Sequence, residues 1–381
     1  MVNRFFPMPS SPPILVTGAT GYIASRLIPQ LIARGCCVRA MARQPEKLRT
    51  RKWALRVEMV KADVMEPESL VYALDGIHTA YYLIHNMSRG HGYTEAELQG
   101  AKNFAEAAEK AGVEHIIYLG GLADPEQHIA PHMRSRIETG MTLRKGSVPV
   151  TEFRAGIIAG SGSISFEMIR FMTELFPVIP GPVWMKNKTQ PIAVENVIDY
   201  LLAALVNPNG RGQIFEIGGP EILTYQELMQ KYAKIRGHKR GFLLLPRVPL
   251  WFMAFGIGLM TPVPYRIAYA LVGGLSKDSV VRHGGADKTF PEVKLRDYES
   301  AVAGALRRLH PLEIEPVWEE SQNAAIRHEG FFIRHRKDKA AGELVCKKFS
   351  FGEEWRDGQT IFFAPFGMRG FLYAFLRGLW W

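Results

Sequence analysis

The stretch VTGATGYIA, residues 16–24, constrains the fold of this chain more than any other. It follows an apolar run, ILV, and opens YIASRLIPQLIARG, whose apolar residues recur at helical spacing up to a glycine stop at Gly35. A strand that turns on glycine into a helix is the phosphate-binding turn of a βαβ unit. Gly18 allows the tight turn, Gly21 lets the backbone approach a pyrophosphate, and the small Ala24 lets helix and strand pack closely. The start of the helix, from Ala19 and Thr20 to Tyr22 and Ile23, then offers its N–H groups to the anion.

Five more apolar runs follow, CCVRAMAR, VEMVKAD, TAYYLIH, HIIYLGG and VTEFRAGII, with helix-like stretches such as TEAELQGAKNFAEAAEKAG between some of them. Such alternation predicts an α/β fold, a Rossmann-type doubly wound parallel sheet, because parallel strands need long right-handed crossovers. A chain of 381 residues exceeds the size at which one core usually splits. The expected division is an N-terminal arm (1–13), the core of the nucleotide-binding domain (14–160), a mixed segment (161–321) and a basic, aromatic C-terminal extension (322–381). The mixed segment, where proline becomes frequent, would complete the first domain and form a smaller substrate-side domain.

With 47% hydrophobic and 22% charged residues the chain reads as folded and globular. Its net charge of +10 fits general solubility, attraction of phosphorylated small molecules, or attachment to an anionic surface. No nucleic-acid motif accompanies it, so the expected partner is a small-molecule substrate and not DNA or RNA. Cys36, Cys37 and Cys346 have neither the number nor the spacing of a disulfide framework or zinc site. No metal is expected, and a cytoplasmic setting is. The residues from Val248 to Leu275 are largely apolar, but Pro262, Pro264 and Arg266 divide them into runs short for a bilayer of about 30 Å. They read as helices beside the nucleotide domain. The finish, PFGMRGFLYAFLRGLWW, reads as a docked terminal helix or as an interfacial anchor giving peripheral contact with the inner face of the membrane.

The second strand bears on the cofactor. VRAMARQP carries Arg39 and Arg43 and no carboxylate, which suits a ribose 2′-phosphate and predicts NADP(H) ahead of NAD(H), with Arg43 the first choice. Asp63 and Val64 end the third strand in position to touch adenine, though Asp63 could instead cap the helix that begins near Glu66. Leu83, Ile84 and His85 end the fourth strand, beside the ribose and nicotinamide.

These motifs, with HMRSRIETG, FRAGIIAGSGS, SFEMIR, QPIAVENV and FEIGGPEILTYQEL, resemble the atypical, extended branch of the short-chain dehydrogenase/reductase superfamily. The likeness covers roughly residues 14–310. Within that branch the chain resembles bacterial NmrA-like NAD(P)H-binding proteins that bear a C-terminal extension. In the wider superfamily a Ser or Thr polarises the substrate oxygen, a tyrosine donates the proton, and a lysine four residues later binds the nicotinamide ribose. Carried onto this chain, those positions are Gly120 or Gly121, His132 and Arg136, so all three usual groups are absent.

A spacing of four puts His132 and Arg136 on one helix face. The neighbouring cation keeps His132 mostly neutral, able to donate one N–H or relay a proton. Arg136 can hold the ribose hydroxyls or stabilise an oxyanion, and Glu138 can pair with Arg134. The resemblance places Ala155, Gly156 and Ile157 where the chain passes the nicotinamide. Phe166, Met168, Met172 and Trp184 are expected to line an apolar substrate cleft, with Gln190 and Asn196 as its polar contacts. Three functions are carried forward: an NADP(H)-dependent oxidoreductase acting on a small apolar carbonyl or conjugated substrate, a nucleotide-binding regulator or assembly factor without turnover, and a nucleotide-sugar epimerase or dehydratase.

Overall fold

The computed structural model describes residues 13–308 apart from 86–92, 125–128, 247, 261–262 and 276. The N-terminal arm up to residue 12 and the C-terminal extension, with its expected anchor, lie outside the described residues. The first half alternates regularly: β1 (Ile14–Val16), α1 (Ala24–Ala33), β2 (Val38–Ala42), β3 (Glu58–Lys61), α2 (Pro67–Leu74), β4 (Thr79–Tyr82), α3 (Tyr93–Lys110), β5 (His115–Gly121), α4 (Pro131–Arg144) and β6 (Val150–Ala155). After it come β7 (Ile158–Ala159), α5 (Ile164–Leu175), β8 (Val178–Pro182), β9 (Lys188–Thr189), β10 (Ile192–Ala193), α6 (Val194–Val206), β11 (Ile214–Ile217), β12 (Leu223–Thr224) and α7 (Tyr225–Ile235). The described chain closes with β13 (Gly241–Leu245), α8 (Leu250–Met260), α9 (Tyr265–Gly274), α10 (Ala286–Thr289) and α11 (Tyr298–Arg307).

Seven strands form one parallel sheet in the order β3-β2-β1-β4-β5-β6-β11, the doubly wound α/β arrangement. The central strands β1, β4 and β5 are buried at every position, because helices cover both faces. That double burial is why they read as unbroken apolar runs. One face packs α1 and α6 through Leu27, Ile28, Leu31, Val197 and Leu201. The other packs α2, α3 and α4 through Leu70, Phe104 and Leu143.

The run VTEFRAGII does not form one strand. It leaves the sheet at Gly156 and Ile157, and β7 pairs with β10 instead, with the Ile192 N–H donating to the Ile157 carbonyl. This departure carries the chain out over the carboxyl ends of the strands. A second core then forms among α5, α7, α8, α9 and α11, around Phe166, Ile179, Leu228, Tyr232, Ile257 and Val272. The apolar stretch from residue 248 onward folds as the two helices α8 and α9 packed on each other. Among the described residues no helix is long and apolar enough to cross a membrane.

Candidate active site

The strand order reverses between β1 and β4, and a crevice opens at the carboxyl ends of such a pair. The two loops that border it touch. The Leu83 N–H donates to Thr17 Oγ1 at 2.9 Å, and the backbone of Gly18 lies so close to β4 that an added Cβ would stand 2.8 Å from the Leu83 carbonyl oxygen. Gly18 also has a φ of +60°, a conformation that costs other residues about 1–2 kcal/mol. Two independent constraints therefore demand glycine at the turn.

Within the loop the Ala19 N–H donates to the Met41 carbonyl at 3.1 Å and the Gly21 N–H to the Gly18 carbonyl at 2.7 Å, which pins the turn to β2. The N–H groups of Thr20 and Ile23 have no backbone partner among the described residues, and Ile23 provides no side-chain cap for α1. Open N–H groups at a helix start suit an anion. Tyr22 turns its ring under the Arg26 guanidinium, 3.9 Å from ring centre to carbon, and its hydroxyl lies against Gly160. Its side chain thus joins the loop to the substrate-side segment.

Of the two arginines on the second strand, only Arg43 stands at the crevice end, one residue past β2. It is partly buried and has no charged partner among the described residues. Arg39 is corrected: it sits toward the opposite end of β2, where its Nε donates to Glu58 at 2.8 Å and its Nη1 to the carbonyls of Ala73 and Asp75 at 3.1 and 2.7 Å. A cation closing the carboxyl end of α2 is fully occupied there. Asp63 accepts from the Met65 N–H at 3.0 Å in a local turn, making no side-chain cap to α2, and Val64 is buried in the core against Gly100.

At the end of β5 the small residue that faces Arg136 is Gly121, not Gly120. A Cβ on Gly121 would meet the Met133 side chain at 2.7 Å and Arg136 Cδ at 3.1 Å, whereas one on Gly120 would meet Tyr118 at 3.0 Å. Gly121 thus makes room for the Arg136 side chain across the end of the sheet. The Arg136 Nε is buried without a hydrogen-bond partner, and among the described residues no carboxylate pairs with its guanidinium. Tyr118 fixes this turn of α4 by donating its hydroxyl to the Arg136 carbonyl at 2.8 Å.

Two imidazoles flank that cation. His85 contacts the Leu119 carbonyl through Nε2 at 3.1 Å, and burial followed by the Arg136 charge lowers its pKa to about 3. His132 is 4% exposed, lies against Gly274 of α9 and has an unpartnered Nδ1. Burial first and Arg136 second lower its pKa to about 3 as well. Both rings are neutral at pH 7, so the Arg136 guanidinium is the positive charge of this cluster. Glu138 and Arg134 form no ion pair among the described residues.

The substrate side holds an apolar cavity enclosing about 670 Å³, its open mouth included, between α5, α7, α8 and α9. Met168, Met172 and Trp184 line it as expected, together with Met253, Leu271 and Ile157, which lies two residues past β6. Phe166 does not line it. It is wholly buried, edge-on to Tyr232 with ring centres 6.1 Å apart. Gln190 and Asn196 are also corrected, because both amides are consumed in tethers. Gln190 donates to the Gly219 carbonyl at 2.7 Å and accepts from Val281 at 3.0 Å; Asn196 donates to the Lys294 carbonyl at 2.7 Å and accepts from Arg296 at 2.8 Å.

Ala155 and Gly156 do pass the carboxyl end of the sheet, and there they meet a residue that sequence reasoning missed. Ser279 donates its hydroxyl to the Leu122 carbonyl at 2.9 Å, and its Oγ would stand 3.3 Å from a Cβ on Gly156. The contact joins residues 157 positions apart, so no local spacing signals it.

Comparison with known proteins agrees with this fold. The model of the NmrA-like family matches residues 10–256. A photosystem II assembly factor, Ycf39, of Cyanophora paradoxa is 24% identical over 249 residues, covering 63% of this chain and 73% of that protein. A (4-alkanoyl-5-oxo-2,5-dihydrofuran-3-yl)methyl phosphate reductase of Streptomyces griseus is 27% identical over 298 residues, covering 74% and 91%. Among solved structures, the triphenylmethane reductase of a Citrobacter species complexed with NADP(H) superposes with a TM-score of 0.63 at 22% identity, covering 77% of this chain and 99% of that one. An Escherichia coli NADPH-dependent quinone oxidoreductase complexed with NADPH gives 0.61 at 18%, covering 76% and 98%. At these identities the two structures establish a shared fold.

Proposed function

We propose that this chain, which belongs to the NmrA-like family, is an NADP(H)-dependent oxidoreductase that moves hydride to or from a small apolar carbonyl or conjugated substrate. One observation carries the reading: a guanidinium, Arg136, unpaired among the described residues, at the carboxyl end of a sheet whose crevice also holds a glycine-constrained anion turn and, past Ile157, an apolar cavity. The residues fit the cofactor. Gly18 keeps the turn open to a pyrophosphate, Thr20 and Ile23 offer N–H groups, and Arg43 provides a planar cation for a 2′-phosphate. NAD(H), lacking that phosphate, is the weaker ligand. Two of the similar proteins are named as reductases, and two of the similar structures hold NADP(H) or NADPH.

The cofactor, when bound, supplies hydride. Arg136 then binds the ribose hydroxyls or holds the negative charge that develops on a substrate oxygen; a half-buried cation with no carboxylate partner among the described residues does this without reorganising. His132, neutral and covered by α9, is at most an N–H donor and not an imidazolium proton source. The proton therefore reaches the product from water, at a cost of about 10² to 10⁴ in rate relative to a built-in general acid. The cavity excludes water from an apolar substrate and sets its shape.

The missing hydroxyl at Gly121 and the neutral His132 favour a second reading, a nucleotide-binding regulator without turnover. An NADPH fluorescence titration followed by a consumption assay over apolar aldehydes, quinones and enones separates the two. Tight binding with turnover abolished by Arg136→Ala supports the reductase. Tight binding without turnover on any of them supports the regulator.

A further inference from the structure

We propose that the outward face of the α8–α9 hairpin docks on the headgroup boundary of an anionic phospholipid bilayer. Helix α8, LWFMAFGIGLM, is apolar on all sides, yet only part of it is covered. Ala254 and Ile257 face the core, while Trp251, Phe252 and Phe255 stand outward, joined on α9 by Tyr265 and Tyr269. These five are between 44% and 58% exposed; among the described residues the remaining exposed aromatic is Tyr72. A concentration of this kind on one hairpin is an unsatisfied surface, since a helix apolar all round is otherwise found buried.

The chemistry favours lipid over protein. Trp and Tyr at the edge of a Phe-bearing face match the boundary between acyl chains and headgroups. From Leu250 to Gly274 the sequence of the hairpin contains no Asp or Glu, and its one charged residue is Arg266, exposed on α9. Such a face complements anionic headgroups. Self-association through the same face would instead bring like charges together with no carboxylate on that segment to pair them. A helix of 11 residues spans about 16 Å, half of a hydrocarbon core, so α8 lies on the surface and does not cross it.

The inner side of the same helices strengthens the assignment. Met253 and Ile257 of α8 and Leu271 of α9 line the apolar cavity, so a single helical layer separates the aromatic face from it. A lipophilic ligand of that cavity would partition into the bilayer the hairpin rests on. The docking itself does not depend on the reductase reading.

The test uses the full chain and sedimentation with vesicles of phosphatidylcholine and phosphatidylglycerol in equal parts. The protein is expected to sediment with them, more weakly with phosphatidylcholine alone. The double variant Phe252→Ser, Phe255→Ser should partition roughly tenfold less or worse. A second measurement needs no polar substitution: the emission difference between the parent chain and Trp251→Phe should be quenched by brominated lipid, which reads docking of this face even if the double variant fails to fold. The proposal is overturned if vesicles are not bound, if binding persists in a folded double variant, if Trp251 escapes quenching, or if the double variant instead turns a dimer into a monomer.

Discussion

The glycine at the head of the phosphate turn offers a sharp test, because a second glycine provides an internal control. Gly18 and Gly35 both have positive φ, +60° and +79°. Replacing either by alanine forces a side chain into the left-handed region at a cost of about 1–2 kcal/mol. Around Gly35 nothing lies within 4 Å of the added Cβ, so the cost ends there. At Gly18 the Cβ would stand 2.8 Å from the Leu83 carbonyl oxygen, and backbone atoms cannot swing aside as a flexible side chain does. Overpacking of this kind adds about 1–3 kcal/mol, giving about 2–5 kcal/mol for Gly18→Ala. Any relief that moves the turn away from β4 also misaligns its N–H groups. The loss of one or two charge-assisted hydrogen bonds, about 1.5–3 kcal/mol each, weakens nucleotide binding by roughly two orders of magnitude. Urea unfolding and an NADPH fluorescence titration on both variants measure the two effects. Equal destabilisation of the two variants, with parental nucleotide affinity in Gly18→Ala, would refute the reasoning.

Other outcomes follow from the same geometry. Arg43→Ala should lower affinity for NADPH about tenfold or more while leaving NADH nearly unchanged, and an equal loss for both nucleotides removes Arg43 from the 2′-phosphate. Arg136→Lys should retain part of the turnover that Arg136→Ala loses, since the lysine keeps the charge but not the fork; identical losses would point to packing against Gly121 instead. His115, wholly buried beside Thr151, and His132 are held below their ordinary pKa, to about 4 and about 3, chiefly by burial. Their unfolded forms bind protons first, so the stability they contribute is fully present above about pH 6.5 and is lost as pH falls toward 4. Between pH 7.5 and 5.5 each costs about 1.4 kcal/mol, and an unfolding series in which His132→Gln leaves that slope unchanged would contradict the assignment. Ile257→Trp should fill the cavity, excluding apolar substrates while leaving NADPH affinity intact; unchanged turnover would place the substrate elsewhere.

The sheet and the phosphate turn were legible in the sequence because their signals are local. A doubly buried strand must be apolar throughout, and a left-handed turn against a neighbouring strand must be glycine. Arg39 and Arg43 show where legibility ends: they lie four residues apart, one within β2 and one just past it, and only that distance separates a helix-end tether from a guanidinium with no charged partner among the described residues. Phe166 and Met168 differ in another way. Two positions on a helix are rotated by about 200°, so one ring enters the core while its neighbour lines the cavity. Gln190 and Asn196 looked like substrate contacts because they are polar residues in apolar surroundings. Burial obliges such groups to find partners, and backbone brought from 29 to 100 residues away supplies them. The placement of Ser279 depended on the same long-range folding.

The most direct measurement is calorimetric titration of the folded chain with NADPH and, separately, NADH. A glycine turn that presents backbone amides to a diphosphate, with Arg43 beside it, predicts heat and saturation with both nucleotides and markedly tighter binding of NADPH. The absence of heat with either nucleotide would contradict the account at its base, and tighter binding of NADH would contradict the place given to Arg43.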